Sequence, residues 1–201
     1  MEVVIVVCHP REGSLCHAIA GRCAEVLERS GHRALTHDLY RERFDPVLST
    51  QELDRGFSFD EQVQRYGAEL GRSGGIVLVH PDWWGQPPAL LKGWIDRVLR
   101  PGVAYEFEPA EEPSRRRTPL LAGKRAVVFC TTDAELEPPW IEPMWRQGVF
   151  GFCGITESVV RVFAGVRESS YARRQRWLES VSETIREVWV DRPEGTAHNG
   201  G

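Results

Sequence analysis

The stretch HPDWWGQPPALLKGWIDRVLRPG, residues 80–102, decides the fold. Within it Leu90, Leu91, Trp94, Ile95, Val98 and Leu99 recur at i, i+1, i+4, i+5, i+8 and i+9, the spacing of one buried face of a helix. Pro87 and Pro88 suit the first turn of that helix, where a missing N–H costs nothing, and Pro101 with Gly102 stops it. Just before the stretch, Gly74 and Gly75 lead into the short apolar run Ile76 to His80, which reads as a strand. Strand, turn and helix in this order are half of a βαβ unit.

The same alternation extends in both directions. VVIVVC, Val3 to Cys8, is β-branched and apolar on both faces, as in a central parallel strand covered by helices on each side. Ser14 then stands as an N-cap before Leu15, Ile19, Cys23, Val26 and Leu27 at helical spacing, and Gly31 closes that helix. Arg33 to Leu39 reads as a more exposed edge strand, Tyr40 to Asp60 as irregular, and Asp60 to Gly71 as a helix. The charged segment from Gly102 to Pro119 has no sustained period and reads as a surface loop or hairpin. Ala126 to Thr132 is a fourth strand, Trp140 to Phe152 a helix, Ser158 to Ala164 a fifth strand and Ser170 to Val190 a final helix. Five strands alternating with helices imply parallel crossovers and a doubly wound α/β sheet of order 2-1-3-4-5, with helices on both faces.

At 201 residues, with 41% hydrophobic and 27% charged residues, the chain suits a single globular domain, expected over 1–190, with a disordered tail over 191–201. A net charge of −4 argues against nucleic acid as partner, and Arg115 to Arg117 or Arg173, Arg174 and Arg176 read as solvated surface charge. No apolar run approaches the roughly 20 residues of a membrane helix, and Val3 to Cys8 lacks the features of a signal peptide, so a cytoplasmic protein without membrane insertion is expected. The five cysteines show no CxxC spacing and suggest buried, reduced thiols.

In an open parallel sheet, ligands bind beyond the carboxyl ends of the strands where the strand order reverses. Three loops therefore hold the candidates. The first, His9 to Ser14, ends at a helix N-terminus suited to an anion such as phosphate, although it matches neither GxGxxG nor the phosphate-loop pattern. The second, Pro81 to Gln86, places Trp83 and Trp84 at the sheet mouth, where flat apolar rings stack on a planar aromatic ligand. Thr131, Thr132 and Asp133 in the third offer hydroxyls and N–H groups to a polar ring edge or chain. His9 and His80 have no partners at a metal-ligand spacing, no GxSxG elbow is present, and neither a metal site nor a catalytic acid or base is assigned.

HPDWWGQPPALLKGWIDRVLRPGVAYEF, with CHPREGSLCHAIA before it and FGFCGI after it, resembles the flavodoxin-like NAD(P)H quinone reductases, a group that includes DT-diaphorase, the modulator of drug activity B proteins and ancillary subunits of potassium efflux systems. The resemblance implies a flavodoxin-like fold, a bound FMN or FAD, a homodimer with flavin sites near the interface, and two-electron ping-pong transfer from NAD(P)H to a quinone-like acceptor. It places His9, Ser14, Leu15 and Cys16 along the flavin's phosphate and ribityl chain, Pro81, Asp82, Trp83, Trp84 and Gly85 along the isoalloxazine edge, and Thr131, Thr132, Asp133 and Ala134 opposite. Tyr105 and Phe107 match positions that reach into the partner's pocket. A Tyr and a His that assist hydride transfer in DT-diaphorase correspond to positions near Pro139 and at Gly151, and the paired glycines of the third loop are replaced by Asp133 and Ala134, which brings an acid to the flavin's edge. The chain lacks the C-terminal extension of longer FAD-binding members, so FMN is expected, with FAD the alternative. Competing readings are an ancillary subunit docked on a transporter, motivated by the loop Tyr105 to Pro119, a biosynthetic tailoring reductase, and a one-electron carrier.

Overall fold

The computed structural model describes residues 1–107 and 116–191. In chain order the elements are β1 (Glu2–Val7), α1 (Leu15–Arg29), β2 (Arg33–Asp38), α2 (Thr50–Arg55), α3 (Glu61–Arg72), β3 (Gly75–Pro81) and α4 (Ala89–Val98). There follow β4 (Tyr105–Phe107), β5 (Arg117–Pro119), β6 (Arg125–Thr131), α5 (Ile141–Pro143), a π-helical stretch (Met144–Phe150), α6 (Gly151–Cys153), β7 (Glu157–Phe163) and α7 (Tyr171–Trp189). One parallel sheet runs β2-β1-β3-β6-β7, which is the expected 2-1-3-4-5 order once the separate β4/β5 hairpin is set aside.

The inner strands are apolar on both faces because both faces are covered. Val4, Val6, Leu78 and Val128 pack against Val63 and Leu70 of α3 and Leu91, Trp94 and Val98 of α4. Val3, Ile5, Val7, Val77 and Phe129 pack against Cys23 and Leu27 of α1 and Val181, Ile185 and Trp189 of α7. The edge strands β2 and β7 are only half-buried along most of their length. All five cysteines are buried and unbridged. No helix among the described residues is long and apolar enough to cross a membrane.

Three local features depart from expectation. The segment Tyr40 to Asp60 is not wholly irregular: Ser49 and Glu52 form a capping box that starts α2, and Gly56, at φ 64°, stops it. The helix expected over Trp140 to Phe152 is wound in two modes, α at its ends and π at its centre. Trp145 and Phe150 are five residues apart and both buried, their rings stacked at 5.6 Å, and the i→i+5 bonding of a π-helix keeps them on one side. In α4 the prolines precede the first turn, Pro88 being the N-cap. The expected loop or hairpin after Gly102 is a hairpin at its base, where β4 pairs antiparallel with β5. Its tip, and the tail beyond Asp191, lie outside the described residues.

A buried cation ties α2 and α3 to α4. Arg97, 5% exposed, donates through Nε and Nη2 to Glu52 Oε1 at 3.1 and 2.8 Å, through Nη2 to Asp60 Oδ2 at 3.1 Å and through Nη1 to the Asp45 carbonyl at 2.6 Å. Burial alone would raise the Glu52 carboxyl, but the bonds from Arg97, Ser58 and Ser49 outweigh it and hold it down to about 2. Because that folded value lies below the ordinary carboxylate range, the stabilisation is complete above that range and is lost as pH falls toward 2. Replacing Arg97 by Met strands the buried carboxylate and is expected to cost on the order of 3 kcal/mol in urea denaturation at pH 7. The deficit relative to wild type should shrink as pH is lowered; a deficit that stays constant from pH 7 to 3 would show that Glu52 is not the group involved.

Candidate active site

The loops after β1, β3, β6 and β7 enclose a cleft of about 790 Å³ at the carboxyl end of the sheet, lined by His9, Ser14, Leu15, Cys16, Trp83, Thr131 and Asp133 among others. Seven of the thirteen residues expected at the site thus share one volume. Pro81, Asp82, Trp84, Gly85, Thr132 and Ala134 do not line it; they build its walls or point elsewhere.

The first wall is the start of α1. Ser14 caps the helix, its Oγ accepting from the His17 N–H at 3.3 Å. The first turn contains no acid, so the positive end of the helix dipole is not internally compensated. His9 Nδ1 accepts from the Arg11 N–H at 3.0 Å, and burial lowers the pKa of this imidazole, favouring the neutral ring. Cys16 lies 3.3 Å from Thr131 Oγ1, and burial pushes its thiol up to about 11. The Cys16 sulfur is therefore a packing group and not a thiolate nucleophile.

The second wall is a tight turn. The N–H and C=O of Trp83 and Gln86 bond each other reciprocally at 3.0 and 3.1 Å around Trp84 and Gly85, whose φ values are 58° and 74°. Two central residues with positive φ make this the turn type that matches strand twist. A Cβ on Gly85 would stand 2.7 Å from Trp140 Nε1, so the glycine is required by backbone angle and by contact. The turn sends the two tryptophans different ways: Trp83, 41% exposed, faces the cleft, while Trp84 is 101% exposed. Holding a bulky aromatic in the left-handed region costs of order 1–3 kcal/mol. Pro81 is buried at the end of β3. The Asp82 N–H donates to the Thr131 carbonyl at 2.7 Å and its Oδ2 accepts from Thr132 Oγ1 at 3.3 Å, but its buried Oδ1 has no hydrogen-bond partner among the described residues.

The third wall joins the loops after β6 and β7. Asp133 Oδ1 accepts from the Arg167 N–H at 3.0 Å, and Oδ2 accepts from Nε and Nη2 of Arg167 at 3.2 and 3.0 Å. The acid expected to face a flavin edge is instead paired with a cation. Arg167 and Val166 line the cleft and were missed by reading only three loops; extending the strand-end rule to the fifth strand finds them. Arg174, in the first turn of α7 and expected as solvated surface charge, lines the cleft as well. Pro139 and Gly151, the positions matched to helper residues, are not among the cleft lining. His80 lies in the core, with Nδ1 2.9 Å from the Pro81 carbonyl and Nε2 accepting from Trp145 Nε1 at 3.2 Å; burial takes its pKa down to about 4. Among the described residues no three His, Cys, Asp or Glu side chains are grouped to hold a metal ion.

Residues 1–185 match a protein family described as having a flavodoxin-like fold. The chain belongs to that flavodoxin-like family. It is 28% identical over 193 residues to a Haemophilus influenzae protein named as an uncharacterized NAD(P)H oxidoreductase, covering 91% of this chain and 93% of that one. It is 24% identical over 222 residues to the mouse ribosyldihydronicotinamide dehydrogenase [quinone], covering 96% and 94% respectively. Among solved structures, the NAD(P)H:quinone oxidoreductase of Methanothermobacter marburgensis is similar at a TM-score of 0.76 and 27% identity, over 93% of this chain and 96% of that one.

The geometry around Gly85 gives a direct test of the second wall. Gly85→Ala adds both left-handed strain and the Trp140 clash, whereas Gly13→Ala, at φ 71° with open space around it, adds strain alone. Thermal unfolding should show a loss of about 1 kcal/mol for the Gly13 variant and a loss larger by at least 1 kcal/mol for the Gly85 variant. Equal losses would remove Trp140 from the account of the turn.

Proposed function

We propose that this flavodoxin-like protein is a flavin-dependent NAD(P)H oxidoreductase that reduces quinones or similar electron-poor aromatic acceptors. The observation that carries the reading is the single cleft onto which the uncompensated N-terminus of α1, the Trp83 ring and Thr131 all open. The printed names of the Haemophilus, mouse and Methanothermobacter proteins support it, because each describes an NAD(P)H or quinone oxidoreductase that matches nearly the whole chain.

The residues present fit FMN. A phosphate suits the first-turn N–H groups of α1 and the Ser14 hydroxyl. Trp83 offers a flat face to a planar ring system. Thr131, which lines the cleft, offers a hydroxyl to a polar ring edge. Bound there, the flavin supplies hydride transfer from nicotinamide to acceptor. The protein's own part is to hold and orient: Arg167 neutralises Asp133, so no unpaired acid stands at the ring edge, and burial keeps the Cys16 thiol protonated.

A second copy of the chain is the partner in this reading. Trp84, Trp140, Leu136 and Phe107 are exposed apolar side chains, and the strained display of Trp84 gives that ring a role beyond packing within the chain. No observation favours the transporter-subunit alternative.

Titration with FMN and FAD, followed by absorbance, tests the cofactor. FMN should bind saturably, its absorbance should bleach with NADH or NADPH, and a quinone should restore it; a protein that binds neither flavin contradicts the proposal. Trp83→Ala should weaken FMN by about 1–3 kcal/mol in the same titration. Light scattering should give twice the 22.8 kDa chain mass, with Trp84→Glu shifting the protein toward the single mass.

A further inference from the structure

The N-cap of α1 carries a hydrogen-bond chain that reaches out of the helix. Ser14 Oγ lies 2.8 Å from Nδ1 of His17, and Nε2 of the same ring lies 2.8 Å from Oδ2 of Asp38, the last residue of β2. The His17 and Asp38 side chains are only 18% and 13% exposed, whereas Ser14 opens onto the cleft. Asp38 also accepts from the N–H groups of Tyr40 and Arg41 through Oδ1, at 3.1 and 3.3 Å. As a carboxylate it only accepts, so a ring proton of His17 lies on Nε2.

The direction of the chain then depends on one proton. With His17 neutral, Nδ1 is bare and must accept from the Ser14 hydroxyl. The hydroxyl hydrogen is then turned into the protein, and Ser14 presents a lone pair to an arriving anion. With His17 protonated, Nδ1–H donates to Ser14 Oγ and the hydroxyl hydrogen is released to donate toward the cleft. Every donor from Asp38 outward is then matched, and the ring charge adds attraction for an anion.

The geometry points to a proton-linked anion site: a phosphate monoester binding at Ser14 draws one proton onto His17, with Asp38 as the residue that holds the ring. This inference rests on the reading that the N-terminus of α1 receives the flavin phosphate. His17 is a positioning residue, acting through Ser14. The groups that face it are Asp38 from β2, the His9 ring at 6.3 Å from the β1–α1 loop, and, behind Asp38, the Arg41 guanidinium at 3.5 Å from Oδ2, itself 3.2 Å from Glu12. Asp38 favours the charged ring, Arg41 opposes it, and the neutral His9 adds no charge.

Calorimetric titration of the apoprotein with FMN, in pairs of buffers of unlike ionisation enthalpy from pH 7 to 9, tests this, because a phosphate monoester keeps both charges over that range, its second pKa being about 6. The wild type should take up one proton per FMN, and its FMN affinity should fall about tenfold per pH unit. Riboflavin, which lacks the phosphate, should bind with no such dependence, and His17→Gln should bind FMN with a flat pH profile. In the wild type, the His17 Cε1–H resonance should move to its imidazolium position on adding FMN and stay in place with riboflavin, which decides the matter even where the variant fails to fold. FMN binding without proton uptake and with an unmoved His17 resonance overturns the relay and leaves the flavin reading standing. Failure to bind either flavin overturns both.

Discussion

Val3, Ile5 and Val7 are buried against α1 and α7 while Val4, Val6 and Cys8 are buried against the opposite layer, so β1 has no face left for solvent and must lie inside the sheet. At roughly 1.5–3 kcal/mol for each large aliphatic side chain, this one strand gains as much from burial as the whole net stability of an ordinary domain. Its neighbours β2 and β3 then lie on opposite sides, and the helices that follow β1 and β3 pack on opposite faces. The two loops leaving those strands diverge, and the cleft is the space between them. The site follows from where β1 must sit.

The rim of that space is organised electrostatically. The start of α1 has no acid in its first turn, and Asp133, the acid on the facing loop, is engaged three times by Arg167. Arg11 and Arg174 also line the cleft, so its charged lining is predominantly cationic. Such a lining suits an anionic ligand, and the half-exposed Trp83 ring gives it an apolar floor. Ser14 joins these features to the protein behind them, through His17 to the end of β2.

Much of this was legible in the sequence because it is local. The two-sided apolar runs gave the strands and their parallel order, and the stripe from Leu90 to Leu99 gave α4. Ser14 was recognisable as a cap from position alone. The capping box of Ser49 and Glu52 was equally local and was overlooked inside a polar stretch. What no local rule supplies is contact between distant segments. His17 and Asp38 are 21 positions apart, and Asp133 and Arg167 are 34, joined only once parallel strands bring their ends together. The tryptophan pair was read as one feature, but the positive φ of Trp84 separates the two rings, and a backbone angle imposed by a two-residue turn is not visible in the letters WW. The π-helical winding likewise depends on Trp145 and Phe150 sharing a core.

The central claim is that one flavin lies in the cleft between the loops of β1 and β3, and a crystal structure of the FMN complex tests it most directly. The phosphate should lie at the first turn of α1, within hydrogen-bond distance of Ser14 Oγ, and the ring system against Trp83 with a polar edge toward Thr131. An FMN held anywhere else, or one whose phosphate leaves Ser14 and the α1 N-terminus untouched, would contradict it.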